Sequence, residues 1–290
     1  MKYISLPGAG LLTGLAQMLT HYNLNVEDRD IALGMEAPYL LVRNGEYYYA
    51  GSSLYRPEWL AIYLQPHGFR LIENTLSKED VPAFLRHHSP AMLKLEVAKG
   101  TNHPLVFKGY ENGRYSFANI KPTNSPEPDS VSLSAPMLKR RLADQVTIMT
   151  LEKCEPSAVD PVPYLIHSLY NLWDYRQALL AAREYTVTQD ELYRELHEPT
   201  FRAIIQEMYP MSLLINDRTL AEELRSLRHN YMHMFYSKQT DRVLLSDWLS
   251  QTSIKKCTAW MREDIIDRLF ELGVAEELID SIKLDLTKKS

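Results

Sequence analysis

Cysteine is scarce in this chain of 290 residues: it occurs only at Cys154 and Cys257. The sequence leaves a disulfide between the two open. In a reducing compartment, however, two well-separated thiols are more often unpaired core residues. Cys154 lies in a predicted linker and Cys257 near the final helices, and neither position is that of a nucleophile, so we expect both thiols to be inert.

Long apolar runs and dense basic runs are also lacking. No stretch is long enough to cross a bilayer, and the N-terminus lacks the apolar segment and cleavage site of a secretory signal. We therefore expect a cytoplasmic protein with no membrane partner. The 32 lysine and arginine residues are dispersed and the formal net charge is −5, which argues against a nucleic-acid partner. With 45% hydrophobic residues, the chain can fill one large core or two smaller ones.

A change of pattern divides the chain. Three prolines fall between residues 156 and 163, where they disfavour a continuous helix. We therefore predict an α+β domain over residues 1–154 and an all-helical domain over 155–290. The helical segments predicted in the second half are 164–184, 188–208, 211–237, 241–251, 255–272 and 275–286, with Gly273 as a C-terminal cap.

The first half mixes helical and strand patterns. Apolar residues recur at helical spacing after residues 10 and 56, and a capping signal precedes a third helix near residue 80. Alternating patterns and a turn at residues 111–113 predict a β-hairpin. The predicted strands are 91–97, 104–110, 114–120 and 145–151, with a short helix over 135–142 before the last.

Three positions follow the order of a papain-like catalytic site. In such sites a nucleophile begins a helix, a histidine on a strand deprotonates it, and an amide or carboxylate one hairpin further on fixes the histidine tautomer. Here the first helix begins at Gly10, and His103 and Asn119 occupy the other two positions. The spacing alone is a weak signal, and by itself it favours an ordinary exposed histidine at the start of a strand.

Several segments carry a resemblance to a known family. The stretches 10–22, 24–27 and 32–39, and later 81–85, 89–95 and 103–110, resemble the N-terminal domain of the butirosin-biosynthesis protein H family. The resemblance covers about half of the chain. It implies a papain-like fold, similar to that of bacteriocin-processing cysteine peptidases, and acyl transfer from a carrier-protein thioester to an amine. Carried over to this chain, it makes His103 the general base and Asn119, where the family has an aspartate, its orienting partner.

The family's cysteine position falls on Gly10, which has no side chain with which to attack a thioester. Three hypotheses follow. The chain is an enzyme of specialised-metabolite biosynthesis that acts without a covalent intermediate on an acyl, amide or thioester substrate, free or attached to a carrier protein, with His103 as acid/base and the Gly10 and Leu11 amides as an oxyanion site. Alternatively it is an inactive homologue that serves as a binding or scaffold protein, or the glycine was engineered. We favour the first, and a peptidase is disfavoured because the thiol is missing.

Other residues are secondary candidates. Thr13, one helical turn along, and the aromatic side chains of Tyr39 and Tyr48 are candidates for substrate binding, although Thr13 also suits packing and the tyrosines a strand packed on the core. The many tyrosines of the helical half fit core packing or the interface of a homodimer, with a hydrophobic substrate wall as the alternative. His229 and His233 have metal-binding spacing but no third ligand in sight, so we expect neither a metal site nor a cofactor.

Overall fold

The computed structural model describes residues 1–98, 101–236 and 242–288. Its α-helices are α1 (Gly10–Thr20), α2 (Asp28–Gly34), α3 (Pro57–Leu64), α4 (Val81–Leu85), α5 (Ala135–Arg140), α6 (Val162–Ala182), α7 (Gln189–Glu191), α8 (Tyr209–Leu214), α9 (Arg218–Tyr236), α10 (Gln251–Glu271) and α11 (Glu276–Lys288). Helix α7 continues in π-helical form over Leu192–Phe201 and Ala203–Met208. The strands are β1 (Leu41–Asn44), β2 (Tyr47–Ala50), β3 (Phe69–Ser77), β4 (Ala91–Ala98), β5 (Thr101–Glu111), β6 (Arg114–Asn119), β7 (Ser130–Ser134), β8 (Gln145–Lys153), β9 (Thr186–Val187) and β10 (Val243–Leu244).

The chain folds into two compact units and belongs to the α+β class. The first unit consists of Met1–Met35 and Tyr55–Val159, and the second of Glu36–Leu54 and Asp160–Ser290. The prediction placed the boundary between residues 154 and 155, close to where the chain passes between the units. It did not anticipate that a segment of the first half, which contains β1 and β2, belongs with the helices of the second unit.

The first unit is built on a six-stranded antiparallel sheet with strand order β3-β8-β4-β5-β6-β7. The predicted hairpin is confirmed as β5 and β6, and β4 and β8 were also predicted. Strands β3 and β7 were not. Strand β7 reads Ser-Val-Ser-Leu-Ser, and β3 contains the polar run Glu73-Asn74-Thr75, so neither sequence shows a β-branched or aromatic majority.

The two faces of this sheet are covered by different helices. Helix α1 lies on one face so closely that a Cβ at Gly14 would overlap the sulfur of Met92 on β4. The opposite face carries the hydrophobic core shared with α4 and α5. That core consists of Leu93, Leu95, Leu105, Phe107, Tyr115, Phe117, Leu133, Val146 and Ile148 from the strands, with Val81, Leu85, Leu138 and Leu142.

The second unit is mainly helical but contains two short antiparallel strand pairs, β1-β2 and β9-β10. The all-helical prediction therefore missed both pairs, because a strand of two to four residues has too few residues to show alternation. The predicted helix 211–237 is divided into α8 and α9 at Asn216, which has a φ of +60°. A helix was also predicted over 241–251, of which residue 241 lies outside the described residues. The described part instead contains strand β10 and a 3₁₀ turn (Leu245–Asp247).

The cap at the end of α10 is confirmed. Gly273 has a φ of +80°, and its N–H donates to the carbonyl of Phe270. Both thiols are free, and burial raises the pKa of the Cys257 thiol to about 12. Among the described helices, none combines the length and the apolar character that crossing a membrane requires.

Candidate functional site

Helix α1 begins beside a buried carboxylate. The Asp28 side chain is 1% exposed and accepts hydrogen bonds from the backbone N–H of Ser5 (2.8 Å) and Leu6 (3.2 Å) and from the Ser5 hydroxyl. These bonds fix the loop that leads into α1. They also place a negative charge next to the positive end of the helix dipole. The sequence analysis predicts that a substrate oxyanion binds at this end of the helix, but the Asp28 carboxylate already interacts with it.

Thr13 is part of this arrangement. Its hydroxyl lies 2.9 Å from Asp28 Oδ2 and 3.0 Å from the carbonyl oxygen of Ala9, and its side chain is fully buried. The structure therefore gives Thr13 a packing role: it connects α1 to Asp28, and it is not exposed to a substrate.

Gly10 lies against the first residues of β5. A Cβ built on Gly10 would stand 3.1 Å from Cγ of Pro104 and 3.7 Å from Cδ1 of Ile4. Any side chain at this position would leave the helix start towards the proline ring. A nucleophilic side chain at this position would thus contact apolar carbon atoms of Pro104 and Ile4.

His103 and Asn119 both lie beside Glu127 and make no hydrogen bond to each other. The Asn119 Nδ2 donates to Glu127 Oε2 (3.1 Å) and to the carbonyl oxygen of Pro128 (3.0 Å). Its Oδ1 is buried without a hydrogen-bond partner among the described residues. The Nε2 of His103 is 3.8 Å from Glu127 Oε1, a charged pair only when the histidine is protonated. Asn119 therefore anchors the loop that carries Glu127 and does not orient His103.

The sheet also separates His103 from Gly10. Cross-strand partners share a face of a sheet, and successive residues on a strand alternate between faces. His103 pairs with Leu95, which belongs to the core beneath α4 and α5, whereas Pro104 faces α1 and Gly10. The base and the helix start that the sequence predicts to meet across one cleft are thus on opposite faces.

A groove does lie on the α1 face of the sheet. It has a volume of about 390 Å³, and its wall includes Leu11 of α1, Tyr55, Glu73 of β3, and Met92 and Lys94 of β4. The ammonium of Lys94 is 5.9 Å from the centre of the Tyr55 ring, and among the described residues no carboxylate lies within ion-pair distance of it. The groove therefore combines apolar walls with an unpaired cation, which suits a small ligand with an anionic group. Of the predicted binding residues, Leu11 lies here.

Tyr39 and Tyr48 belong to the second unit. Tyr48 is 6% exposed and packs against Tyr175, with ring centres 4.6 Å apart. Tyr39 is partly exposed, with the guanidinium of Arg268 5.9 Å from its ring centre. Burial raises the pKa of both hydroxyls. Tyr48 is a core residue, and neither tyrosine belongs to the unit that contains Gly10.

The second unit contains a buried polar cluster that the sequence did not indicate. The Ser52 hydroxyl donates to Glu207, whose pKa is raised by burial, and Arg202 Nε lies 3.6 Å from the same carboxylate. His197 Nδ1 is 2.9 Å from the Tyr231 hydroxyl, and burial lowers the pKa of His197 and raises that of Tyr231. Two of the five residues, His197 and Glu207, lie in the π-helical segments, a form frequent at functional sites, and Arg202 lies between those segments. Here the paired contacts stabilise those segments.

Among the described residues, no group of three or more His, Cys, Asp or Glu side chains is arranged to hold a metal ion. His233 instead stacks on Trp248, with ring centres 5.3 Å apart.

Two residues of the candidate sites were missed by the sequence analysis. Lys94 was treated only as a charged residue alternating with apolar ones, and Glu127 only as part of a surface loop. Glu127 carries no local signal, because its importance depends on strands that are distant in sequence. For Lys94 the alternation of residues 91–97 is a local signal, since it places Lys94 on the same face of the strand as Met92.

No protein-family model matches the chain, and no curated protein is similar to it at a significant level. The resemblance to the butirosin-biosynthesis protein H family therefore remains a prediction from sequence.

Proposed function

We propose that this chain is a ligand-binding protein with a papain-like ancestry, similar to the butirosin-biosynthesis protein H family, that has no covalent catalysis. Its ligand is a small acyl compound with an anionic group. This is the inactive-homologue hypothesis of the sequence analysis, with a binding site assigned to it.

One observation carries the proposal: Gly10 points at Pro104, whereas His103 lies on the opposite face of the sheet. A papain-like reaction needs a nucleophile and a base within hydrogen-bonding reach, with the base oriented by a third group. Here the nucleophile position is occupied by Gly10, which has no side chain, and His103 faces away from it. Asn119 donates to Glu127 and Pro128 instead of to His103. The three positions retain the order of a catalytic site without its geometry.

The groove on the α1 face supports the ligand class. An acyl chain in contact with Leu11 and Met92 buries apolar surface, at about 25 cal/mol per Å². A carboxylate at the end of that chain neutralises Lys94 beside the Tyr55 ring. Glu73, on the same wall, is an acceptor for an amine or hydroxyl group elsewhere in the ligand.

The test uses hexanoate as an anionic probe and 1-hexanol as its neutral counterpart, titrated into the full chain by calorimetry. We expect hexanoate to bind, and the Lys94→Gln variant to lose at least tenfold in affinity. Lys108→Gln is the matched control, because Lys108 is an exposed lysine of the same sheet, outside the groove. Equal affinity of the wild type and Lys94→Gln for hexanoate, or equal affinity of the wild type for hexanol, contradicts the proposal.

A second candidate function rests on the pair formed by His103 and Glu127. With Glu127 fixed by Asn119, the imidazole has a carboxylate neighbour at 3.8 Å, which is beyond hydrogen-bond distance but close enough to pair with the protonated form of the histidine. In this form of the enzyme hypothesis, Glu127 is the charge partner of His103. It predicts that aminolysis of an acyl thioester is accelerated by the wild type and not by His103→Ala. Equal rates for the two proteins favour the binding function.

A carrier protein as the donor of the ligand, a homodimer and a cytoplasmic location belong to the same proposal. They follow from the resemblance and from the composition of the chain. Size-exclusion chromatography with light scattering tests the dimer.

A further inference from the structure

The second unit contains a cavity of about 200 Å³ between helices α6, α10 and α11. Its α6 wall is one helical stripe of Leu169, Leu172, Trp173 and Arg176, spaced by three or four residues. Arg262 of α10 and Lys283 of α11 complete the set of cations, and Glu263 is the acidic residue of the wall. The cavity is smaller than the roughly 300–1,000 Å³ typical of sites for drug-sized ligands. Its size suits a small molecule.

Two of the three cations already have acidic neighbours. Arg262 donates to Glu263 through Nε (3.1 Å) and Nη2 (2.6 Å). The Nζ of Lys283 is 3.6 Å from Asp280 Oδ1. The positive charge that is left in the cavity wall therefore belongs to Arg176.

Arg176 has no acceptor for its guanidinium among the described residues. Its Nε is buried, and no hydrogen-bond partner reaches it. Buried donors of this kind are rare in native proteins and call for an unseen partner. The two hydroxyls of the wall are also engaged: Thr258 donates to the carbonyl of Ile254 (2.9 Å) and Thr287 to that of Lys283 (2.8 Å).

We infer that this cavity binds a small organic oxyanion, a carboxylate or a phosphate monoester, through Arg176. The guanidinium is a planar fork whose parallel N–H groups match the two oxygens of such an anion. Trp173, one turn before Arg176, and the leucines of the same stripe provide an apolar surface for the group attached to the anion. This site is separate from the groove assigned to the acyl ligand, and the inference does not rest on that proposal.

The test compares three probes in the full chain by calorimetry: phenyl phosphate, benzoate and benzyl alcohol. Phenyl phosphate or benzoate is expected to bind, Arg176→Gln to lower its affinity at least tenfold, and the neutral alcohol not to bind. Arg225→Gln, which removes an exposed arginine of α9 outside the cavity, is expected to bind as the wild type does. Because the loss of Arg176 can affect folding, Arg176→Lys serves as a second variant. It keeps the charge without the fork and should also bind more weakly.

Two results would overturn the inference. If neither anion binds the wild type, the Arg176 guanidinium is satisfied by water alone. If Arg176→Gln, or Arg176→Lys where the first variant does not fold, binds as tightly as the wild type, the anion sits elsewhere, for example at Lys94. A Trp173→Ala variant then separates the two parts of the site: it should weaken phenyl phosphate binding more than that of inorganic phosphate, and equal weakening would contradict the apolar contact.

Discussion

Replacing Asn119 by aspartate, the residue that the resembling family carries, should destabilise the first unit. Asn119 is fully buried, and its Nδ2 donates to Glu127 Oε2 at 3.1 Å and to the Pro128 carbonyl at 3.0 Å. The aspartate has no donor when ionised, so both bonds are lost and two carboxylates face each other. Losing one bond to a charged acceptor and one to a carbonyl, together with the repulsion, is expected to cost about 3–5 kcal/mol at pH 7.

The cost should depend on pH and on Glu127. The two carboxylates of the variant can share one proton, so its native state binds a proton more tightly than its unfolded state does. The stability of Asn119→Asp should therefore rise as the pH falls from 7 towards 4. In the double variant with Glu127→Gln, the new amide donates to the aspartate, and a coupling of about 1.5 kcal/mol or more is expected.

Native-state hydrogen exchange at the β6 amides measures this local stability, since β6 carries residue 119. Asn124→Asp, an exposed change in the same loop, is the control and should alter the free energy by no more than about 0.5 kcal/mol. A loss smaller than about 1 kcal/mol in Asn119→Asp, or no rescue by Glu127→Gln, would refute the view that Asn119 is a loop anchor.

Three further predictions concern the second unit. Gly51→Ala should lower the free energy of unfolding in urea by at least about 2 kcal/mol, because its φ is +51° and the new Cβ would stand 2.8 Å from a backbone carbonyl oxygen; an unchanged urea midpoint would contradict this. Burial and the neighbouring Asp217 raise the pKa of Asp264 to about 7, so the native state holds this proton more tightly and stability falls as the pH rises from about 4 to 7. Because solvent screens this partly exposed group, Asp264→Asn should reduce the difference between the free energies of unfolding in urea at pH 5 and pH 8 by only about 1–2 kcal/mol. A variant with the same difference as the wild type would contradict this prediction. Arg268→Met should lower the free energy of unfolding by about 2–3 kcal/mol, because the Glu36 carboxylate, which is 6% exposed, loses the two hydrogen bonds that Arg268 donates to it. Adding Glu36→Gln should restore part of this free energy, and no restoration would contradict the pairing.

The sequence predicted those parts of the fold whose signal is local. The hairpin of β5 and β6 combines alternation with a turn, and α1 combines helical spacing with a preceding loop of proline and glycine, so neighbouring residues specify each element. Strand β7, with three serines in five residues, depends on pairing with β6 for its conformation. Such tertiary control cannot be inferred from a segment alone.

The candidate site was harder to predict for a related reason. The order of Gly10, His103 and Asn119 along the chain is compatible with a catalytic site, but order does not specify the face of the sheet. A shift of one residue moves a side chain to the opposite face, and here that places Pro104 beneath Gly10 and turns His103 towards Glu127. The charges of the groove, Lys94 and Glu73, come from strands β4 and β3, and the local sequence does not show that β8 lies between these two strands in the sheet.

The pH dependence of thiol alkylation in a Gly10→Cys variant tests whether His103 reaches the start of α1. The comparison is with Gly10→Cys/His103→Ala, and iodoacetamide reports the thiolate in both proteins. The two profiles should superimpose, with an apparent pKa set only by the helix start and lying no lower than about 7, because His103 is on the opposite face. A pKa below about 6 in the single variant that rises when His103 is removed would show a thiolate–imidazolium pair, and His103 would then lie on the same face of the sheet as Gly10.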